Sequence, residues 1–202
     1  MQPRYWTLRS ALLVVTSVIA LGPLVPAVPL HGQARGGELA LPLHLSAVAQ
    51  DLDRGTSTPL RITVERWSTA SVRDQLVTPL RTDDTATLLE ALRKAPTVGS
   101  IRTTTSLAWD LHFASVTPGE DGGYQVVLGT DRPLAFSEQW NNSRTLDYPF
   151  TVVELHLDRD GTGEGAMSYA TKVTAAKDSN NVVLENWGTQ RVRLTQVRRE
   201  KD

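Results

Sequence analysis

The residues closest to a chemical pattern are two acid-x-His pairs, Asp110-x-His112 and Glu154-x-His156. Side chains two apart on a β-strand point to the same side, so each pair would set a carboxylate beside an imidazole. Were the two strands neighbours in register, both imidazoles and both carboxylates would converge. That donor set suits Zn, Mn or Fe with an open coordination position. The other reading makes each pair the solvated half of an amphipathic strand. With no cysteine in the chain, thiolate metal sites, cysteine nucleophiles and disulfides are excluded.

Other catalytic signatures are missing. There is no G-x-S-x-G elbow and no phosphate-cradling glycine turn between a strand and a helix. Beyond the first 34 residues only His44, His112 and His156 are available as imidazole bases. Glu138, Asp147, Glu154 and Glu185 could pair for glycoside hydrolysis, but carboxylates at this density belong to any soluble surface. No catalytic residue can be assigned and no cofactor is called for. The run from Asp158 to Gly165 resembles a calcium loop, with Asp158, Asp160 and Gly163 at loop positions 1, 3 and 6. Position 12 is Tyr169 where a chelating glutamate is needed, and both flanks are strand-like, so a glycine-rich hairpin fits better. Trp140, beside Asn141-Asn142, and Trp187, next to a turn, are the aromatics placed to touch a ligand.

The elements that would position these groups follow from periodicity. Leu60, Ile62 and Val64 alternate with Arg61, Thr63 and Glu65, the period-2 mark of a half-buried strand. Two short helices are expected next. One covers ASVRDQLVTPL and ends near Pro79; the other covers TATLLEALRKA behind a cap supplied by Thr82-Asp83-Asp84 and stops at Pro96. The remainder reads as antiparallel strands. Leu107, Trp109, Leu111 and Phe113 share one face; Tyr124, Val126 and Leu128 another; Val153, Leu155 and Leu157 a third. Strands continue over Ala166–Thr174, Val182–Leu184 and Val192–Leu194. Turn signals at this spacing predict a mainly β fold, an antiparallel sandwich or partly closed barrel with two short helices inserted after an early strand.

Residues 1–34 read differently. Arg4 and Arg9 precede the apolar run ALLVVTSVIALG, and no further charge occurs before Arg35. This is the pattern of a secretory signal peptide, with cleavage expected after Ala34. A retained membrane anchor is the competing reading, which Pro23, Pro26 and Pro29 oppose. Residues 35–58 are expected to be a linker whose leucine run, Leu39 to Leu45, could dock as an edge strand because Pro42 cannot donate to a ladder. Residues 59–202 form the expected single β domain. The chain carries 21 Lys+Arg against 22 Asp+Glu, so it lacks the concentrated basic surface that nucleic acid selects.

Several short stretches carry a resemblance. They are Leu107-Ala108-Trp109-Asp110-Leu111, Thr130-Asp131-Arg132-Pro133, Asp147-Tyr148-Pro149-Phe150-Thr151, Asp160 to Gly165, and Leu184-Glu185-Asn186. Together they resemble a family of exported bacterial proteins of unknown function, over about Leu60 to Val197. The resemblance implies export to the periplasm or exterior and supplies no reaction or catalytic residue; His112 and His156 lie outside its pattern. The functional expectation is a non-catalytic domain that binds a small ligand or an envelope protein. The alternatives are a metal-dependent enzyme built on the acid-x-His pairs, and an envelope component that works by oligomerising.

Overall fold

The computed structural model describes residues 6–7, 39–52, 55–119, 122–133, 147–176, 181–186 and 191–200. The expected leader lies outside these residues, except for the two-residue strand β1 (Trp6–Thr7). Ten further strands and two helices follow: β2 (Leu43–Asp51), β3 (Thr56–Val64), α1 (Ala70–Arg81), α2 (Thr85–Lys94), β4 (Gly99–Thr103), β5 (Trp109–Leu111) and β6 (Phe113–Pro118). Then come β7 (Tyr124–Thr130), β8 (Phe150–Leu157), β9 (Thr162–Ala175), β10 (Asn181–Asn186) and β11 (Val192–Arg199). Neither described helix is long and apolar enough to cross a membrane.

The strands form one antiparallel sheet in the order β5-β4-β3-β2-β11-β9-β8-β7-β6. Its two ends, β5 and β6, are consecutive in the chain and meet at His112. On one side β5 bonds to β4, and on the other β6 bonds to β7. The His112 amide itself donates to the Gly129 carbonyl at 3.0 Å. The sheet therefore curls into a nearly closed barrel of sequential strands, and β11 returning to β2 completes the circuit. Ser68, just before α1, covers the inner edge of β6: its amide donates to Ala114 O, and its Oγ accepts the Ala114 amide at 3.0 Å.

The barrel is filled by branched aliphatic side chains, as small barrels are. Leu45, Ile62, Ile101, Leu128, Leu155 and Leu194 are all fully buried, each from a different strand. Two expectations are corrected here. Residues 43–51 are not a linker or an edge strand: β2 is bonded along its length to β3 and on its other side to β11, and Pro42 lies before its first residue. Its inward positions after Leu45 are Ala47 and Ala49, too small to stand out as a hydrophobic alternation. The shared face from Leu107 to Phe113 also fails. Leu107 precedes β5 and is 89% exposed, while the kink at His112 sends Leu111 into the barrel and Phe113 to the outer cluster.

The helices follow β3 as expected. Thr69 and Asp84 cap them, each accepting the amide three residues on. Pro79 lies inside the last turn of α1 rather than ending it, and Thr82 closes the helix. The Asp84 carboxyl also accepts from the Thr87 hydroxyl at 2.6 Å, and this bond, followed by the Thr87 amide, holds it below the ordinary aspartate range. A carboxyl lowered in the fold contributes stability above its unfolded pKa, and the contribution disappears as pH falls through the folded value. Asp84→Ala should therefore lower the melting midpoint by about 2–4 °C at pH 7, with the gap closing in acid; melts from pH 7 to pH 2.5 check it.

Candidate ligand-binding cleft

β9 is long enough to serve two partners. Its first half lies between β8 and β11, and its second half leaves the barrel to pair with β10, from Thr171↔Asn186 to Ala175↔Val182. The α1–α2 hairpin packs beside this extension, and Lys172 Nζ reaches Asp83 Oδ1 at 3.7 Å. A second apolar cluster forms outside the barrel, where Leu76, Leu88 and Leu92 of the helices meet Phe150 of β8.

The helices cover this wall without filling it. A cleft of about 180 Å³ remains between them and the outer faces of β6, β7 and β8. Val127 and Val152 form its floor, Leu76 and Leu80 its roof, and Val182 and Leu184 of β10 its side. Polar groups are few. Arg73 of α1 lines the cleft and has no ion-pair partner among the described residues. Glu154 is neutralised by Arg191. The hydroxyl of Thr130, which is 1% exposed, has no hydrogen-bond partner among the described residues. An apolar concavity with a few polar groups is the form small-molecule sites take.

The acid-x-His pairs are not brought together. Glu154 and His156 are on β8, Asp110 is on β5 at the other end of the strand order, His112 lies between β5 and β6, and β8 is flanked by β7. Across it Glu154 is level with Ser115 and His156 with Thr117, whereas Asp110 sits opposite Ser100 on β4. Each member also has its own setting. The His112 ring is mostly covered, with Nδ1 3.1 Å from Ala95 O and Nε2 3.8 Å from Asp131 Oδ1. Glu154 is held by Arg191, while Asp110 and His156 are exposed. Among the described residues, no three such side chains are grouped to hold a metal ion.

Trp140 and Trp187 lie outside the described residues. The Asp158 loop is a tight hairpin turn in which Gly161 takes positive φ and Asp160 accepts from both the amide and the hydroxyl of Thr162. β9 starts at Thr162, so Gly163 and Gly165 belong to the strand and not to the turn.

Family models, curated proteins and solved structures all give no match to the chain.

The cleft was legible in one signal that strict alternation hides. Val126-Val127, Val152-Val153 and Val182-Val183-Leu184 are consecutive apolar residues, and a strand apolar at consecutive positions is one covered on both faces. In β7 and β8 the inward members fill the barrel, and the outward members, Val127 and Val152, floor the cleft.

Proposed function

We propose that this chain is an exported, non-catalytic binding domain whose cleft takes a small apolar ligand with an anionic end beside Arg73. The observation that carries the reading is the apolar outer face of β7 and β8, roofed by two helices that leave space against it. An outward sheet face is ordinarily polar. Engineered apolar cavities near 150 Å³ accept benzene, so 180 Å³ suits the body of a small hydrophobe. Arg73 supplies the charge for an acidic head, because Glu154 is already paired. Export is supported by the basic-then-apolar pattern of residues 1–34 and by the resemblance to exported bacterial proteins.

The test uses anilinonaphthalene sulfonate, a flat hydrophobe bearing an anion, displaced by decanoate. Val152→Trp puts an indole into the floor and should weaken both probes at least tenfold, about 1.4 kcal/mol or more. Arg73→Gln should weaken decanoate about three- to tenfold and leave decanol unchanged. Unaltered binding to Val152→Trp, with its near-ultraviolet circular dichroism intact, refutes the site. For export, the denatured mass of protein produced with its own leader should correspond to loss of residues 1–34; full-length mass means a retained anchor.

A further inference from the structure

The wall opposite the cleft carries a different feature. The register across four adjacent strands runs Arg198↔Ser46, Ser46↔Arg61 and Arg61↔Arg102. Three arginines thus lie in one row across β11, β2, β3 and β4, and all three are exposed. Neighbouring strands lie about 4.8 Å apart, so Arg61 and Arg102 are immediate cross-strand neighbours. Like charges set directly opposite one another are unfavourable. Among the described residues none of the three has a carboxylate partner. Arg198 instead donates from Nε to Ser46 Oγ at 3.3 Å, leaning toward Arg61. Other arginines of this face do have acidic partners, as Arg193 does with Glu164 at 3.0 Å.

The adjacent row supplies hydroxyls. His44, Thr63 and Ser100 are in register beside the arginines, and His44 Nδ1 lies 3.4 Å from Thr63 Oγ1. Both rows border a concavity of about 220 Å³ lined by Arg61, Arg102, Thr63, Ser100 and His44, with Glu200 as its one carboxylate among the described residues. Asp110 ends the hydroxyl row opposite Ser100.

We propose that this concavity is a second binding site, for a phosphate group. Two guanidinium forks and two hydroxyls offer more donors than one carboxylate can accept, and they suit a tetrahedral oxyanion bound by several oxygens. The uncompensated Arg61–Arg102 opposition is what such a ligand relieves. Glu200 opposes binding and limits affinity. The site stands apart from the apolar cleft, so either can fail without the other.

Two arms test it, one for a soluble phosphate and one for a lipid headgroup. Sodium pyrophosphate should raise the melting midpoint beyond the effect of sodium chloride at equal ionic strength. Vesicles of phosphatidylglycerol in phosphatidylcholine, against phosphatidylcholine alone, probe the membrane source. Arg102→Glu places an opposite charge across from Arg61. It should melt higher than the natural chain without anion, and bind pyrophosphate at least tenfold more weakly. Arg102→Gln should show the same loss without the new ion pair, and Glu200→Gln should bind more tightly. Loss of vesicle binding in Arg102→Glu assigns the phosphate to lipid; a loss confined to pyrophosphate assigns it to a soluble ligand. A natural chain that responds to neither probe, or an Arg102→Glu chain that responds as the natural one does, overturns the site.

Discussion

Gly165→Val should cost the fold about 3 kcal/mol or more, at the upper end of overpacking losses. Gly165 is opposite Leu155 on one side and Leu194 on the other. A Cβ at this position would overlap the Glu154 carbonyl oxygen and come within 2.7 Å of Leu155 Cδ2. Leu155 is fully buried, and the Glu154 carbonyl belongs to a strand bonded on both edges. The carbonyl cannot move without breaking the ladder, and the Leu155 methyl, although a side-chain tip, is enclosed in the core. Gly163 is in the same position against the His156 carbonyl, so the two glycines together let β8 and β9 approach. Gly55→Ala is the informative control. Its φ of +64 makes any side chain strained, but nothing lies within 4 Å of the new Cβ, so the cost should stay near 1 kcal/mol. Urea unfolding separates the two: a large fall in midpoint for Gly165→Val, and a small one for Gly55→Ala. Equal losses would mean that the close approach of β8 and β9 has no energetic weight.

Those glycines also show how far local pattern reaches. In sequence, Gly161, Gly163 and Gly165 form one flexible run, and a turn explains all three. Only Gly161, at φ +82, needs a turn's backbone; the other two answer to a neighbouring strand that no short window contains. Where both signal and partner are local, sequence is enough: the alternation from Phe150 to Leu157 appears where it is read, and the cap of α2 falls within Thr82-Asp83-Asp84, at Asp84. The mainly antiparallel β fold with two helices after an early strand was legible for the same reason, with sandwich and partly closed barrel both left open. Closure at His112 was not, because the kink interrupts the alternation it depends on. β2 was missed because Ala47 and Ala49 bury little surface per residue, although their neighbours across the ladder, Leu60 and Thr58, fix their register. The acid-x-His pairs illustrate the opposite failure. Their spacing puts Glu154 and His156 together on β8, but His112 falls at the kink between β5 and β6, off the strand that bears Asp110, and the order of strands that keeps the pairs apart is a property of the whole barrel.

The double variant Arg93→Ala/Arg132→Ala should be costlier than removing the acid that both arginines serve. Asp131, just beyond β7, has a side chain only 10% exposed, whereas Arg93 and Arg132 are 57% and 59% exposed. Arg93 Nε donates to Asp131 Oδ2 at 3.2 Å and Arg132 Nε lies 3.5 Å from Oδ1, which accepts no hydrogen bond among the described residues. Truncating Asp131 releases two arginines that water can solvate where they stand, so Asp131→Ala should cost about 1 kcal/mol, the scale of a mostly exposed ion pair. Truncating both arginines leaves a buried carboxylate whose one remaining charged neighbour among the described residues is His112 at 3.8 Å, and an unpaired buried charge should cost about 2–3 kcal/mol. Adding Asp131→Ala to the double variant should then restore stability, a reversal that additive surface effects cannot produce. Arg93 belongs to α2 and Asp131 follows the strand that floors the cleft, so the ion pair also holds the roof over its floor. The double variant should accordingly bind anilinonaphthalene sulfonate more weakly, and the triple variant should recover stability more fully than it recovers binding, because the link between helix and barrel is still missing.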